Sequence, residues 1–599
     1  MIIFQVFCAL FSGILTALAI PNEFSHFGSA FIAFLALAPL YIAAKSSFSY
    51  KKTALLFALD ALSCHLLSSY WLANFKDFAI FTLGASAFGT ACIEAMAGCL
   101  FFFPFAGGLG GASGRGLKGG LADENSRFYI GRTSFSFDSY RVLYFAAVRV
   151  AYEWAKSTGF LAYPWGVLSM AAFDNKLLAQ SADIFGVYGL TFLMAFGAGT
   201  LAELILLIKD RRFWREPSFR RQKGVLACNA KCLFLMLSLA SCYGAYRLEE
   251  YTPVQKTLNA VLVQQNKDPW ASSDDNESIK ISMKLSEEGI AEFSRQGKSA
   301  DLVVWSEAVL RYGFPHSEQR YSYLPQEEPL LSFIKRMDVP FIIGGPYIID
   351  ATKRKYANAA LVFDRTGAFK GYYGKSHLVP FAEVIPGVEL PWVRNIMGKI
   401  AGFSNGWTAG GQYNLFEIQG QKRLEGQAVK IVSLIEGESE KNAAVRIANP
   451  ICFEDAFPDI CGPFRKAGAE AFVNITDDSW SKTNSAEWQH FAVASFRAIE
   501  YRTSLVRATN AGVTAVVDNK GRVLQSLPLF EEGCLCAEIP VYEWRSTVYA
   551  DFCNWFPHLL LLLAAVLAVF KALELRGPSR TLAQCIQAEL RAIEFYFID

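Results

Sequence analysis

Two hydrophobic patterns divide this 599-residue chain. Up to about residue 245, and again beyond residue 551, apolar residues run on with few interruptions, whereas between them short apolar runs alternate with polar stretches. A helix that crosses the hydrocarbon core of a bilayer needs about 20 predominantly apolar residues. Eight runs have that character, near 3–20, 27–44, 53–74, 79–105, 141–158, 185–208, 225–245 and 552–574. The fifth, "RVLYFAAVRVAYEWAKSTG", is the least apolar because it carries Arg149, Glu153 and Lys156. No basic stretch precedes the first run, so it reads as a helix rather than a cleaved signal peptide. The middle segment predicts strands at "LNAVLVQQ", "DLVVWSE", "PFIIGGPYI", "NAALVFD", "AFVNITD", "LVRATN" and "TAVVD", and helices at "ESIKISMKLSEEGIAEFSRQGK" and "SAEWQHFAVASFRAIEYRTS". In the first of these helices Ile279, Met283, Ile290 and Phe293 recur at helical spacing, giving one buried stripe and one charged face. "FDRTGAFKGYY" predicts a hairpin with Thr366 and Gly367 at its turn. Such alternation implies an α/β domain with helices laid over sheets.

Composition agrees with a membrane protein, at 52% hydrophobic and only 19% charged residues. A net charge of +2 gives no reason to expect a nucleic-acid partner. The placement of charge is more informative than its sum. The loop "KDRRFWREPSFRRQK" between the sixth and seventh runs holds seven basic residues against two acids, and "KSSFSYKK" separates the second and third. Loops rich in Lys and Arg stay in the cytoplasm. Alternation then puts the N-terminus, the 106–140 loop and the C-terminus inside. The expected organisation is seven transmembrane helices in 1–245, an extracytoplasmic domain in 246–550, an eighth transmembrane helix in 551–575 and a cytoplasmic tail in 576–599. Gly114, Gly116 and Gly119 form a lone G-x-G-x-x-G in the 106–140 loop; without a preceding strand it reads as a flexible linker, not a nucleotide site.

Of the 13 cysteines, four lie in the middle domain: Cys452, Cys461, Cys534 and Cys536. No further Cys or His stands at ligand spacing, so a zinc site, a metal and any other cofactor are not expected. Pairing of Cys461 with Cys534 or Cys536 stays open. Three polar residues follow apolar strand-like runs, where an α/β sheet delivers its active groups. Glu307 ends "DLVVWSE", Lys375 follows "AFKGYYG", and Cys452 ends "RIANPIC". A thiol is only a few per cent thiolate at neutral pH, so a neighbouring base and cation are the means to activate it. Taken singly, each residue has an ordinary explanation as a solvated acid, a surface lysine or a small core residue.

As a set they do not. "VVWSEAVL", "GYYGKSHLVPFAEVIPG", "NPICFED" and "VNITDDSWSKTNSAEWQHFAVASFRAIEYRTSLVRATNAGVTAVVD" follow one another in one α/β domain. In this they resemble the nitrilase (carbon–nitrogen hydrolase) superfamily, whose αββα sandwich carries a Glu-Lys-Cys triad. Together with the flanking apolar runs, the whole chain resembles the apolipoprotein N-acyltransferase family. The resemblance implies Cys452 as nucleophile, Glu307 as general base and Lys375 as oxyanion stabiliser. It also implies supporting roles for Glu383 and Glu454, and substrate contacts at Trp270, Phe453 and Trp480. The implied partners are a phospholipid acyl donor and a diacylated apolipoprotein acceptor, handled by a monomer in a bacterial inner membrane with its catalytic domain on the periplasmic side. The chain departs from the family pattern at Ser306, Ala382 and Phe453, where proline, glycine and tyrosine are usual, and carries a polar insertion near 417–442. After the lysine, Trp392, Ile396, Met397, Ile400 and Phe403 suggest an arm that dips into the bilayer surface. The competing expectations are a membrane-tethered amidase that lets water resolve the thioester, and an inactive lipoprotein-binding scaffold. His377 and His490 read as hydrogen-bonded structural histidines.

Overall fold

The computed structural model describes residues 1–75, 80–105, 127–130, 133–209, 217–268, 274–385, 387, 390–395, 406–419 and 444–575. Alternation along single strands explains how the middle domain is layered. In β1 (Val254–Gln264), Leu258, Ala260 and Leu262 join one core while Val261 and Val263 join another, because successive side chains of a strand face opposite ways. Both faces are therefore covered, and the run is almost continuously apolar. The neighbours of β1 in its six-stranded sheet are β2 (Leu302–Val304), β3 (Phe341–Asp350), β4 (Lys355–Phe363), β5 (Phe369–Gly374) and β12 (Gly533–Tyr542), in the order β12-β1-β2-β3-β4-β5. Strands β1 to β3 are parallel and the rest antiparallel. The second sheet contains β6 (Phe416–Gln419), β7 (Ala444–Ala448), β8 (Ala471–Thr476), β9 (Ser504–Thr509), β10 (Ala515–Val517) and β11 (Val523–Ser526), in the order β11-β10-β9-β8-β7-β6.

Leu258, Val304 and Ile342 of the first sheet share a core with Ile447, Val473 and Val506 of the second. The outer face of the first sheet packs on Ile279, Met283 and Phe293 of α9 (Asn276–Arg295) and on Phe333 and Ile334 of α10 (Leu330–Met337). On the second sheet, Phe472 meets Tyr501 of α12 (Asn484–Tyr501) edge-on at 5.9 Å. The layers thus run helix, sheet, sheet, helix, with α11 (Pro458–Lys466) beside α12. The expected hairpin forms between β4 and β5; Asp364 Oδ1 accepts from the Thr366 and Ala368 amides, and Gly367 takes φ +81°. That left-handed conformation suits glycine.

Among the described residues, the remaining helices of seven residues or more are α1 (Ile2–Ala19), α2 (Ala30–Ala36), α3 (Ala38–Lys45), α4 (Tyr50–Ser68), α5 (Ser86–Phe102), α6 (Arg141–Lys156), α7 (Val187–Lys209), α8 (Pro217–Glu249) and α13 (Trp555–Leu575). Among the described residues, four stretches are long and apolar enough to cross a membrane: Ile2–Ala19, Thr82–Phe105, Val187–Lys209 and Phe219–Glu249. Ala30–Lys45 and Trp555–Val569 are apolar but shorter. The charges of α4, α5 and α6 meet one another: Arg149 contacts Glu94 at 2.7 Å, Glu153 at 3.2 Å and Asp60 at 3.4 Å, all buried. Helix α12 belongs to both halves, since its Phe496 and Ile499 join the core of the membrane helices. Its Gln489 Nε2 donates to the Pro21 and Ser68 carbonyls at 2.9 Å each. The G-x-G-x-x-G glycines, Ile396, Met397, Ile400 and Phe403, nearly all of the 417–442 insertion and the tail from 576 lie outside the described residues.

Candidate active site

Glu307, Lys375 and Cys452 come from both sheets and border one cavity of about 680 Å³. Glu307 stands three residues past β2, Lys375 directly follows β5, and Cys452 opens a single 3₁₀ turn (Cys452–Ala456) after β7. Lys375 Nζ donates to Glu307 Oε1 at 3.2 Å and to Glu383 Oε1 at 3.0 Å. Asn358 Nδ2 bridges the same two oxygens at 2.6 and 2.9 Å, so one amide and one ammonium hold the acids together. The other oxygens are tethered by backbone: Asp477 N–H reaches Glu307 Oε2 at 3.0 Å and Val379 N–H reaches Glu383 Oε2 at 2.8 Å. Cys452 adopts φ +53°, uncommon for a residue with a Cβ and the kind of strain that surrounding contacts must hold in place.

Glu454 supplies those contacts. Its Oε1 accepts from the Ser376 and His377 amides at 2.7 and 2.9 Å, and its Oε2 from the Ile451 amide at 2.8 Å. Tyr373 Oη donates to the same carboxylate. One fully buried acid thus ties the residues after Lys375 to the residue before Cys452.

Burial works against the Lys375 charge, but Cys452, Glu307 and Glu383 outweigh it and hold the ammonium well above the usual lysine range. Burial, then Glu307, push the Cys452 thiol well above the ordinary cysteine range, against the opposing pull of Lys375. A thiol in that setting needs an acceptor for its proton when the sulfur attacks. Burial also raises Glu454 and Asp477 to about 7 each, although each accepts several hydrogen bonds that favour its charged form. Behind Cys452, His490 is fixed between Asp478 (2.8 Å) and Asp455 (3.0 Å), and Arg507 pairs with both acids. These carboxylates raise His490 above the ordinary histidine range against the effect of burial. The geometry agrees with a structural histidine. His377 instead stacks on Phe457 at 4.3 Å, and its buried Nε2 has no hydrogen-bond partner among the described residues, so it is not the hydrogen-bonded histidine expected from sequence.

Aromatic residues build the cavity's apolar side. Phe453 lies 5.5 Å from Lys375 Nζ and stacks on Trp165 at 6.1 Å. Trp480 meets Trp71 at 5.6 Å and Phe75 at 5.2 Å, joining the α/β domain to the residues after α4. Ser86, Thr90 and Ile93 of α5 also line the cavity, so it continues among the membrane helices. Trp270 lies outside the described residues. Trp392 is described and 63% exposed. Ser306 exchanges hydrogen bonds with the Gln265 amide, at 2.7 and 3.0 Å. Ala382 does not take a positive φ, whereas its neighbour Phe381 does, at φ +66°. Cys461, Cys534 and Cys536 are all free thiols, so none of the disulfides left open by the sequence forms. Asn358 was not singled out from sequence; the only signal was a polar residue opening the apolar run "NAALVFD".

Residues 12–200 match the model of the apolipoprotein N-acyltransferase N-terminal domain, and residues 260–549 match that of carbon–nitrogen hydrolase. Apolipoprotein N-acyltransferase 2 of Treponema denticola is 38% identical over 93% of this chain and 95% of its own length. Apolipoprotein N-acyltransferase 2 of Treponema pallidum is 35% identical over 97% of each. The apolipoprotein N-acyltransferase of Borreliella burgdorferi is 30% identical over 93% of this chain and 94% of its own. With two domain models matched in order and relatives aligned nearly end to end, the chain belongs to the apolipoprotein N-acyltransferase family.

Proposed function

We propose that the enzyme moves a fatty acyl chain from a phospholipid, through a thioester on Cys452, to the N-terminal amine of a diacylglyceryl-cysteine apolipoprotein. The observation that carries this reading is the shared cavity. Cys452, Glu307 and Lys375 face the same space as apolar residues of the membrane helices, so a lipid ester in the bilayer and the nucleophile can meet without either leaving its own medium.

In the first half-reaction Cys452 Sγ attacks the ester carbonyl as Glu307 takes the thiol proton. Lys375 Nζ faces the oxyanion, a kind of donor worth about 3 kcal/mol. Collapse breaks the ester C–O bond, Glu307 returns the proton to the departing alkoxide, and a lysophospholipid leaves. In the second, the neutral α-amine attacks the thioester, Glu307 accepts its proton, and the sulfur departs to be reprotonated. Glu383 and Asn358 hold Lys375 and Glu307 in register throughout. Glu454 fixes the loop of Cys452 against that of Lys375. Phe453 and Trp480, with Trp270, contact the acyl chains. The apolar wall keeps water from the thioester, which is what separates transfer from hydrolysis.

All eight apolar runs cross the membrane in this reading. The pairing of Asp60, Glu94, Arg149 and Glu153 inside the bundle supports the three charged ones, because buried ions in a membrane are tolerated when paired. The basic loops face the cytoplasm and the catalytic domain faces the periplasm of a bacterial inner membrane. The test is N-acylation of a synthetic diacylglyceryl-cysteine lipopeptide by the purified enzyme in phospholipid micelles. A triacylated peptide supports the proposal; free fatty acid without it means hydrolysis instead. An epitope inserted near residue 430 should be reached by antibody on spheroplasts without permeabilisation, and its protection would reverse the orientation.

A further inference from the structure

Lys156, the last residue of α6, borders the same cavity as Cys452 but lies outside the catalytic constellation. Its side chain is only 5% exposed. Among the described residues its Nζ has one hydrogen-bond partner, the Trp165 carbonyl at 2.8 Å, and no carboxylate within 4.0 Å. An ammonium carries three donors, so two have no acceptor among the described residues. Glu153, one turn back, favours the charge only from beyond contact distance. Glu153 is fully engaged by Arg149 at 3.2 Å, by the Leu168 amide at 2.9 Å and by Thr191 at 2.6 Å. A buried cation with no counter-charge in contact is costly, and in the eight-span reading an ionisable residue at the end of a span marks a substrate path.

The position of Lys156 relative to the nucleophile narrows what that substrate group is. Trp165 holds Lys156 by its carbonyl while its ring stacks on Phe453, the residue after Cys452. Lys156 is thus one tryptophan away from the reacting centre. Of the two proposed substrates, only the acyl donor brings an anion to that level, since the acceptor presents esters, a thioether and an amine that a cation repels. Lysine also binds phosphate well as a point charge.

We propose that Lys156 binds the phosphodiester of the phospholipid donor and so selects phospholipid over uncharged acylglycerol. This inference rests on the acyl-transfer reading above. The experiment compares single-turnover thioester formation by the full-length enzyme in neutral detergent. The two donors are a phosphatidylglycerol and a diacylglycerol with the same chains. The wild type should favour the phospholipid at least tenfold in kcat/KM. Lys156→Met should reduce that ratio about tenfold or more, chiefly through donor KM, and Lys156→Arg should keep it. A wild type that does not discriminate, or a Lys156→Met enzyme with an unchanged ratio, overturns the proposal. If Lys156→Met fails to fold, Lys156→Gln and the wild-type ratio decide the matter. Absence of thioester from either donor in the wild type would instead remove the acyl-transfer reading itself, so the two failures are distinct.

Discussion

Replacing Glu454 by Gln changes one atom, and the hydrogen bonds at that atom set its cost. The carboxylate accepts from three backbone amides, Ser376, His377 and Ile451, and from the Tyr373 hydroxyl. A glutamine side chain has one acceptor oxygen and one donor NH₂. Turned to keep the Ser376 and His377 bonds, it points N–H at N–H towards Ile451; turned the other way, it loses two bonds. The better choice still leaves one fully buried donor unpaired, a loss of about 2–3 kcal/mol for a bond to a charged acceptor. The amide released belongs to the residue before Cys452, whose φ of +53° depends on being held. A displacement of about 1 Å at a reacting atom costs about 10²-fold in rate. Glu454→Gln should therefore slow single-turnover thioester formation from a fluorescent phospholipid about 100-fold while the thermal unfolding midpoint falls by only a few degrees. A rate within threefold of wild type would refute the idea that this carboxylate positions the nucleophile.

Asn358→Asp sets a third carboxylate against Glu307 and Glu383, where a shared amide donor now lies. Thioester formation should fall more than 100-fold, and Asn358→Ser should be milder; the same single-turnover assay checks both. Trp480→Ala removes an apolar wall shared with Trp71 and Phe75. It should raise the donor KM about tenfold with a smaller effect on kcat, the size expected for a missing apolar contact of about 1–3 kcal/mol. The pH dependence follows from Glu454 and Asp477, both lifted to about 7 by burial. Because their folded values are raised, the stability they contribute is fully present below their unfolded values of 4.5 and 3.8 and is lost as pH rises through about 7. Activity should run the other way, since a protonated Glu454 meets backbone donors with a donor of its own. The kcat/KM profile should show an acid limb near pH 7 while the unfolding midpoint declines from pH 5 to 8. A rate flat from pH 5.5 to 8 would contradict this.

The αββα domain was legible because its strands are short apolar runs closed by turns, and its long helix α9 keeps a clean stripe at Ile279, Met283 and Phe293. Less visible were β6, β11 and β12. In β12 the apolar positions are diluted by Cys534, Glu538 and Pro540, and its role as partner of β1 is set by the tertiary fold rather than by its own pattern. The membrane helices were harder to count, because α4 and α6 carry charges whose partners lie on other helices. Glu307, Lys375 and Cys452 were found by their position after strands together with a family resemblance; spacing alone would have left each an ordinary surface or core residue. Asn358 escaped because nothing local distinguishes a polar residue in a strand, and Lys156 stood out only as a charge in an apolar run. Their importance comes from what distant segments place beside them.

The central claim is that Cys452 carries the acyl group between the two substrates, and intact-protein mass spectrometry reads it directly. Mixing the purified enzyme with a phospholipid of one defined chain length should add the mass of one acyl group, on the peptide containing Cys452. The added mass should disappear when a diacylglyceryl-cysteine lipopeptide is supplied, and Cys452→Ala should never gain it. No acyl adduct in the wild type, or an equal adduct in Cys452→Ala, would contradict the thioester mechanism.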